Sequence, residues 1–121
     1  MPKPEKVNVP FTVKRPWGEF REYAANETVT VKTVFARAGE QLSLQKHKKR
    51  SEFWRVLKGT PEITIGEKKI RAKAGDEFTI PLGALHRLSA VGSDDVEILE
   101  VARGYFDEDD IERIEDNYGR A

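Results

Sequence analysis

"LSLQKHKKRSEFWRVLKG", residues 42–59, decides the fold. Gln45 and His47 lie two apart, as do Glu52, Trp54 and Val56, and the period of two in a strand puts each set on one face. The intervening "KKR" reads as a turn. Two strands joined this way carry an amide, an imidazole and a carboxylate toward one another beside an indole. If that face is interior, the carboxylate needs a partner, because an unpaired buried charge is expensive.

Working outward, "TVTVKTVFARAGE" (28–40) alternates, with Val29, Val31, Thr33 and Phe35 on one face and Thr30, Lys32 and Val34 on the other. "PEITIGEKKIRAKAGDEFTIPLG" (61–83) holds a hairpin turned at Gly66-Glu67, a second turn at Ala74-Gly75 and a strand stopped by Pro81. "HRLSAVGSDDVEILEVARG" (86–104) supplies two more strands around a polar loop. About eight short strands at close spacing predict an all-β, antiparallel sandwich or barrel. Upstream, "RPWGEFREYA" (15–24) is the first ordered signal, around a Pro/Gly turn. Residues 1–14, rich in proline and lysine at their start, read as an N-terminal arm or swapped strand, and residues 15–121 as one domain. The single helical signal is at the C-terminus: Asp107 as an N-cap, an acidic first turn in "EDDIERIEDNYG" (108–119), and Gly119 as the stop.

A chain of 121 residues suits one domain with a small core. Its 21 basic and 21 acidic residues cancel, so the charge balance predicts neither nucleic-acid nor membrane capture. With no cysteine, disulfides and thiolate metal knuckles are excluded. No signal-like or bilayer-spanning apolar run is seen, so the expectation is a soluble, cytoplasmic protein.

For the Gln45, His47, Glu52 cluster a divalent cation is the economical partner, and mixed nitrogen and oxygen donors suit Zn, Mn, Fe, Co or Ni. A fourth ligand must come from elsewhere, and the other histidine is His86, after "PLGAL". On periodicity alone, two ordinary histidines and a surface pairing of Glu52 with Lys48 or Arg50 account for the same residues.

The spacing resembles a known family. Gly39, Gln45, His47, Glu52 and Gly59 fall at the intervals of the first cupin motif, with glutamine in place of its first histidine. Gly75, Pro81, Gly83 and His86 resemble the second motif, which ends here on Ala90 instead of asparagine. More finely, "RPWG", "LSLQKH", "RSEFW", "IPLGALHRL" and "EDDIERIEDNYGR" resemble the cupin domain of type II mannose-6-phosphate isomerases. Lys48, Lys49 and Phe53 depart from that pattern, where histidines are common.

The resemblance implies a cupin-type antiparallel β-barrel, or jelly roll, and a metal held by Gln45, His47, Glu52 and His86, with Zn first among the divalent ions. It implies a metal-dependent isomerase interconverting mannose 6-phosphate and fructose 6-phosphate through an enediolate. Glu52 is a candidate catalytic base, with a nearby lysine or tyrosine equally open. Arg50, Arg87 and Arg120 are candidates to clamp the phosphate, and Trp54, with Trp17, to wall the pocket. The small-molecule partner is a sugar phosphate, and the expected assembly is a homodimer sharing edge strands. Guanylyl transfer is not expected, for want of the glycine-rich nucleotide loop. The competing readings are a non-catalytic sugar-phosphate binding module, which Lys48 and Lys49 favour, and another small metal cupin enzyme.

Overall fold

The computed structural model describes residues 9–121. Among these the chain forms eleven strands and no helix: β1 (Phe11–Arg15), β2 (Gly18–Glu22), β3 (Val29–Ala36), β4 (Leu44–Lys46), β5 (Arg50–Lys58), β6 (Glu62–Ile65), β7 (Lys68–Arg71), β8 (Glu77–Ile80), β9 (His86–Ser89), β10 (Val96–Gly104) and β11 (Glu112–Glu115). Every pairing is antiparallel. One sheet runs β3-β10-β5-β8 and the other β11-β4-β9-β6-β7, while β1 and β2 form a separate hairpin. The two large sheets share a core, in which Trp54, Val56, Ile80 and Ile98 of one meet Ile63 and Leu88 of the other. This is a jelly roll built as two facing sheets rather than one continuous closed ladder.

The eight strands expected from alternation are β3 to β10. In β5, Arg50, Glu52, Trp54 and Val56 are buried, as a period of two requires. Phe53, on the other face, is also buried, because the β1–β2 hairpin covers it with Tyr23, ring centroids 5.5 Å apart. In β3 the face that turns inward is the one bearing Lys32 and Val34, and Val31 and Phe35 stay exposed.

Gly59, which closes the first motif, sits at φ +82°, and a Cβ there would collide with Asp95 O and Val96 Cγ1. Only glycine tolerates both that backbone and that contact. Gly104 at the end of β10 is similar: at φ +108° an added Cβ would lie 2.5 Å from Lys49 O, so glycine lets β10 close against the turn that precedes β5.

The C-terminal helical turn is corrected. Asp107 does accept at the start, its Oδ1 from Asp109 N at 2.9 Å and its carbonyl from Asp110 N at 3.0 Å, but a single turn results. The chain then extends as β11 along the open edge of β4, with Glu112 opposite Lys46 and Arg113 opposite Gln45. A dozen residues make a marginal helix in water, whereas a free strand edge offers backbone partners at once. Of the expected arm, residues 1–8 lie outside the described residues, and residues 11–14 belong to β1. No helix among the described residues is long and apolar enough to cross a membrane.

Candidate metal centre

Strand β4 leads into His47, β5 carries Glu52 and β9 opens on His86. Gln45 lies directly opposite His86 across the β4–β9 pair, which puts both side chains on the inner face. His47, Glu52 and His86 are each no more than 2% exposed, and one donor atom of each lies within 4.8 Å of the others.

The hydrogen bonds fix which atoms meet. His47 Nδ1 donates to the carbonyl of Asp110 at 2.6 Å, and His86 Nδ1 to that of Ala84 at 3.0 Å. A carbonyl only accepts, so each ring carries its proton on Nδ1 and turns an Nε2 lone pair inward. His47 Nε2 then faces Glu52 Oε2 at 3.2 Å, and His86 Nε2 faces Glu52 Oε1 at 3.6 Å. Lone pairs facing one another in a buried site repel unless a cation lies among them. Among the described residues His86 Nε2 has no hydrogen-bond partner.

This donor set fits a divalent ion: two imidazole nitrogens with their outer nitrogens anchored, plus a carboxylate. Gln45 fits after one local change. Its Oε1 accepts from Ser43 Oγ at 2.6 Å while Nε2 points at His47 Nε2, 3.4 Å away. Turning the amide over presents oxygen to the ion and nitrogen to Ser43 Oγ, which can also accept.

Arg50 supplies a positive charge beside the cluster. Its Nε donates to Glu52 Oε2 at 3.0 Å, its Nη2 to His47 Nε2 at 3.3 Å and its Nη1 to Asp107 O at 3.2 Å, with Phe106 stacked 4.2 Å from its carbon centre. Trp54 Nε1 donates to Glu52 Oε1 at 3.0 Å and to Glu100 Oε1 at 3.3 Å. Burial opposes the charge on Glu52, but the neighbouring His47 and His86 hold its pKa below the usual carboxylate range. Burial lowers the pKa of His86, keeping it neutral. Burial, then the charge of Glu52, push Glu100 up to about 7.

The other expected site residues lie elsewhere. Arg87 is on the outer face, its Nε donating to Leu42 O at 2.9 Å and its Nη1 paired with Glu115 at 3.1 Å. Arg120 is held by Asp116 at 2.8 Å over the ring of Tyr118. Trp17 is 73% exposed in the β1–β2 turn. Lys48 and Lys49 are exposed, and it is their amides that are held, by the two carboxylate oxygens of Asp110 at 2.9 Å each.

Sequence reasoning missed Glu100 and Asp110. Glu100 had a signal: in "VEILEVA" it stands on the apolar face of Val96, Ile98 and Ala102, where a carboxyl is out of place. Asp110 lies in the family-like segment "EDDIERIEDNYGR", but nothing local ties it to the cluster, because its contacts lie about sixty residues away in sequence.

Comparison with known proteins agrees with this picture. A family model described as mannose-6-phosphate isomerase C-terminal matches residues 3–116. The mannose-1-phosphate guanylyltransferase ManC of Salmonella typhimurium is 43% identical over 110 residues, 89% of this chain and 23% of the relative. The xanthan biosynthesis protein XanB of Xanthomonas campestris pv. campestris is 42% identical over 109 residues, again 89% and 23%. The chain thus spans about a quarter of the length of these relatives. A crystal structure described as a sugar phosphate isomerase of the cupin superfamily, from Silicibacter pomeroyi, superposes with a TM-score of 0.59 at 21% identity, over 64% of this chain and 51% of that one, a likeness of fold. With a jelly-roll sandwich and its family model spanning nearly the whole sequence, the chain belongs to the mannose-6-phosphate isomerase C-terminal family of cupin domains.

Proposed function

We propose that the chain is a metal-dependent aldose–ketose isomerase acting on mannose 6-phosphate and fructose 6-phosphate. The observation that carries the reading is the convergence of His47, Glu52 and His86, with an orphaned Nε2 on His86, in a member of this family. Gln45, His47, Glu52 and His86 would hold the ion, with Zn the first to test. A divalent ion there supplies Lewis-acid stabilisation to the oxygen on which negative charge develops as a proton moves between C1 and C2.

The protein's own groups prepare that site. Asp110 O and Ala84 O hold the two rings with Nε2 inward. Arg50 and Trp54 fix both oxygens of Glu52 in its ionised form. The surrounding apolar residues keep bulk water from competing for the developing charge. A homodimer belongs to the same reading: β3 is an edge strand carrying exposed Val31 and Phe35.

The deciding experiment reloads the purified chain with Zn, Mn and Co in turn and follows mannose 6-phosphate by NMR in deuterated water. Fructose 6-phosphate should appear with at least one metal and not with His47→Ala. Metal binding without conversion under any loading would instead favour a non-catalytic sugar-phosphate binding module.

A further inference from the structure

The candidate centre is closed off as it stands. His47, Glu52 and His86 are each no more than 2% exposed, yet an ion or a ligand has to reach their inward atoms. The strands β4, β5 and β9 position these side chains, and Trp54 lies behind them, edge-on to His86 with ring centroids 5.6 Å apart. What remains is the end of the sandwich where the chain leaves β10 in one sheet and enters β11 in the other.

That crossing segment is anchored unevenly. At its far end Asp110 is held by three contacts, its carboxylate accepting the amides of Lys48 and Lys49 and its carbonyl the Nδ1–H of His47. At its near end Gly104 sits at φ +108°, where glycine has no side chain to hinder a pivot. Residues 105–109 between them are tied lightly. Arg50 Nη1 reaches Asp107 O at 3.2 Å, and Lys32 meets the exposed Glu108 at 4.0 Å, a pair worth little in water. The bond from Asp109 N to Asp107 Oδ1 stays within the segment. Tyr105 is 68% exposed, whereas Phe106 turns inward and is half-buried. Its ring lies between two cations, 4.2 Å from the guanidinium carbon of Arg50 and 4.9 Å from Lys32 Nζ. Arg50 in turn donates from Nε to Glu52 at 3.0 Å, so Phe106 stands one side chain away from the cluster. Segments with few buried contacts open locally at low cost, and lids are drawn from them.

We infer that residues 105–109 form a lid hinged at Gly104, with Phe106 as its gate, and that ion and ligand reach the His47, Glu52, His86 cluster only when this segment lifts away from Arg50 and Lys32. This rests on the metal reading for what enters but not for the closure itself. Asp110 stays in place as the lid moves, because its bonds to His47 and to the loop before β5 are separate from those of Phe106.

The test uses the full chain, free of metal, as wild type, Phe106→Ala, Phe106→Leu and Tyr105→Ala, each below its own melting temperature by the same margin. Both histidines of the chain lie in the cluster, so diethyl pyrocarbonate, which acylates an accessible imidazole nitrogen, measures access without an ion. Peptide mass spectrometry should find His47 and His86 acylated at least roughly 10-fold faster in Phe106→Ala than in wild type, with Phe106→Leu in between and Tyr105→Ala within about twofold. In stopped flow, Zn uptake and Zn loss should both quicken in Phe106→Ala while Kd stays within about threefold, since the closing contacts do not include the ion. The chain has no cysteine, so Lys32→Cys with Glu108→Cys can be joined by a reducible bis-maleimide. The bridge should slow acylation at least about fivefold, and reductant should restore it. Equal acylation of wild type and Phe106→Ala would overturn the inference, as would an equal rise in Tyr105→Ala or a bridge without effect. Faster Zn loss with unchanged uptake would also overturn it, making Phe106 a support for Arg50. If no variant binds Zn, the metal reading fails alone, and the acylation contrast still decides the lid.

Discussion

Glu52 sits between two fixed donors, Arg50 Nε and Trp54 Nε1, and opposite two imidazole lone pairs. Removing it and removing a histidine therefore have different consequences. Glu52→Ala should abolish metal binding and also destabilise the metal-free fold by roughly 3 kcal/mol, since it leaves a buried guanidinium without its carboxylate and the indole N–H with only its longer bond to Glu100. His86→Ala should abolish metal binding at a smaller loss of stability, about 1 kcal/mol, because the Nε2 it deletes had no partner. Urea unfolding in chelator, beside bound metal by mass spectrometry, checks both. Glu100 gives a pH dependence. Its folded pKa of about 7 lies above its ordinary value of 4.5, so its stabilising contribution is complete below pH 4.5 and is lost as pH rises through 7. Metal-free wild type should accordingly lose roughly 1–3 kcal/mol more than Glu100→Gln between pH 5 and pH 8. His86, whose pKa is depressed, acts in the opposite sense and loses stability as pH falls below 6.5, equally in both proteins. The difference between the two curves isolates Glu100.

At the scale of elements, the turn between β10 and β11 does more than connect them. Asp110 accepts the amides of Lys48 and Lys49 through its side chain and the Nδ1–H of His47 through its carbonyl, tying the loop before β5 to a candidate ligand. The Lys48 amide, chiefly, holds its carboxyl below the usual range. Asp110→Ala should weaken metal affinity by about 10- to 100-fold, as losses in the support of a ligand usually do, while Lys48→Ala should leave it within about twofold because only its amide is used. Calorimetric titration with Zn separates the two. The β1–β2 hairpin acts on the other side of the same sheet, where Tyr23 covers Phe53. Its presence makes harmless a departure from the family pattern: Phe53 is a core residue of the outer face and takes no part in the cluster.

For the whole molecule, the cluster and the core are separate supports. Trp54, Ile63, Leu88 and Ile98 pack without reference to an ion, so the chain should stay folded when metal is stripped. Binding should then raise the melting temperature through mass action alone, by an amount equivalent to about 4 kcal/mol at a thousandfold excess over Kd, and chelator should reverse it fully. A chain that unfolds without metal would contradict this division.

Much of this was legible from residues in order. The strands β3 to β10 followed from alternation, because a sheet with one buried face writes a period of two into its sequence. His47, Glu52 and His86 were legible from motif spacing, and the close approach at Gly59 is a local reason for that spacing. Placement across the fold was not. The acid-rich segment 107–119 satisfies helix rules locally and becomes β11 because β4 offers an open edge. Arg87 follows His86 in sequence yet faces the other side, while Arg113, inside the family-like segment "EDDIERIEDNYGR", stands opposite Gln45. Local patterns fix which residues share a strand face, since that depends only on backbone geometry. Which strands become neighbours depends on long-range pairing, and it is pairing that decides where Glu100 and Asp110 meet the centre.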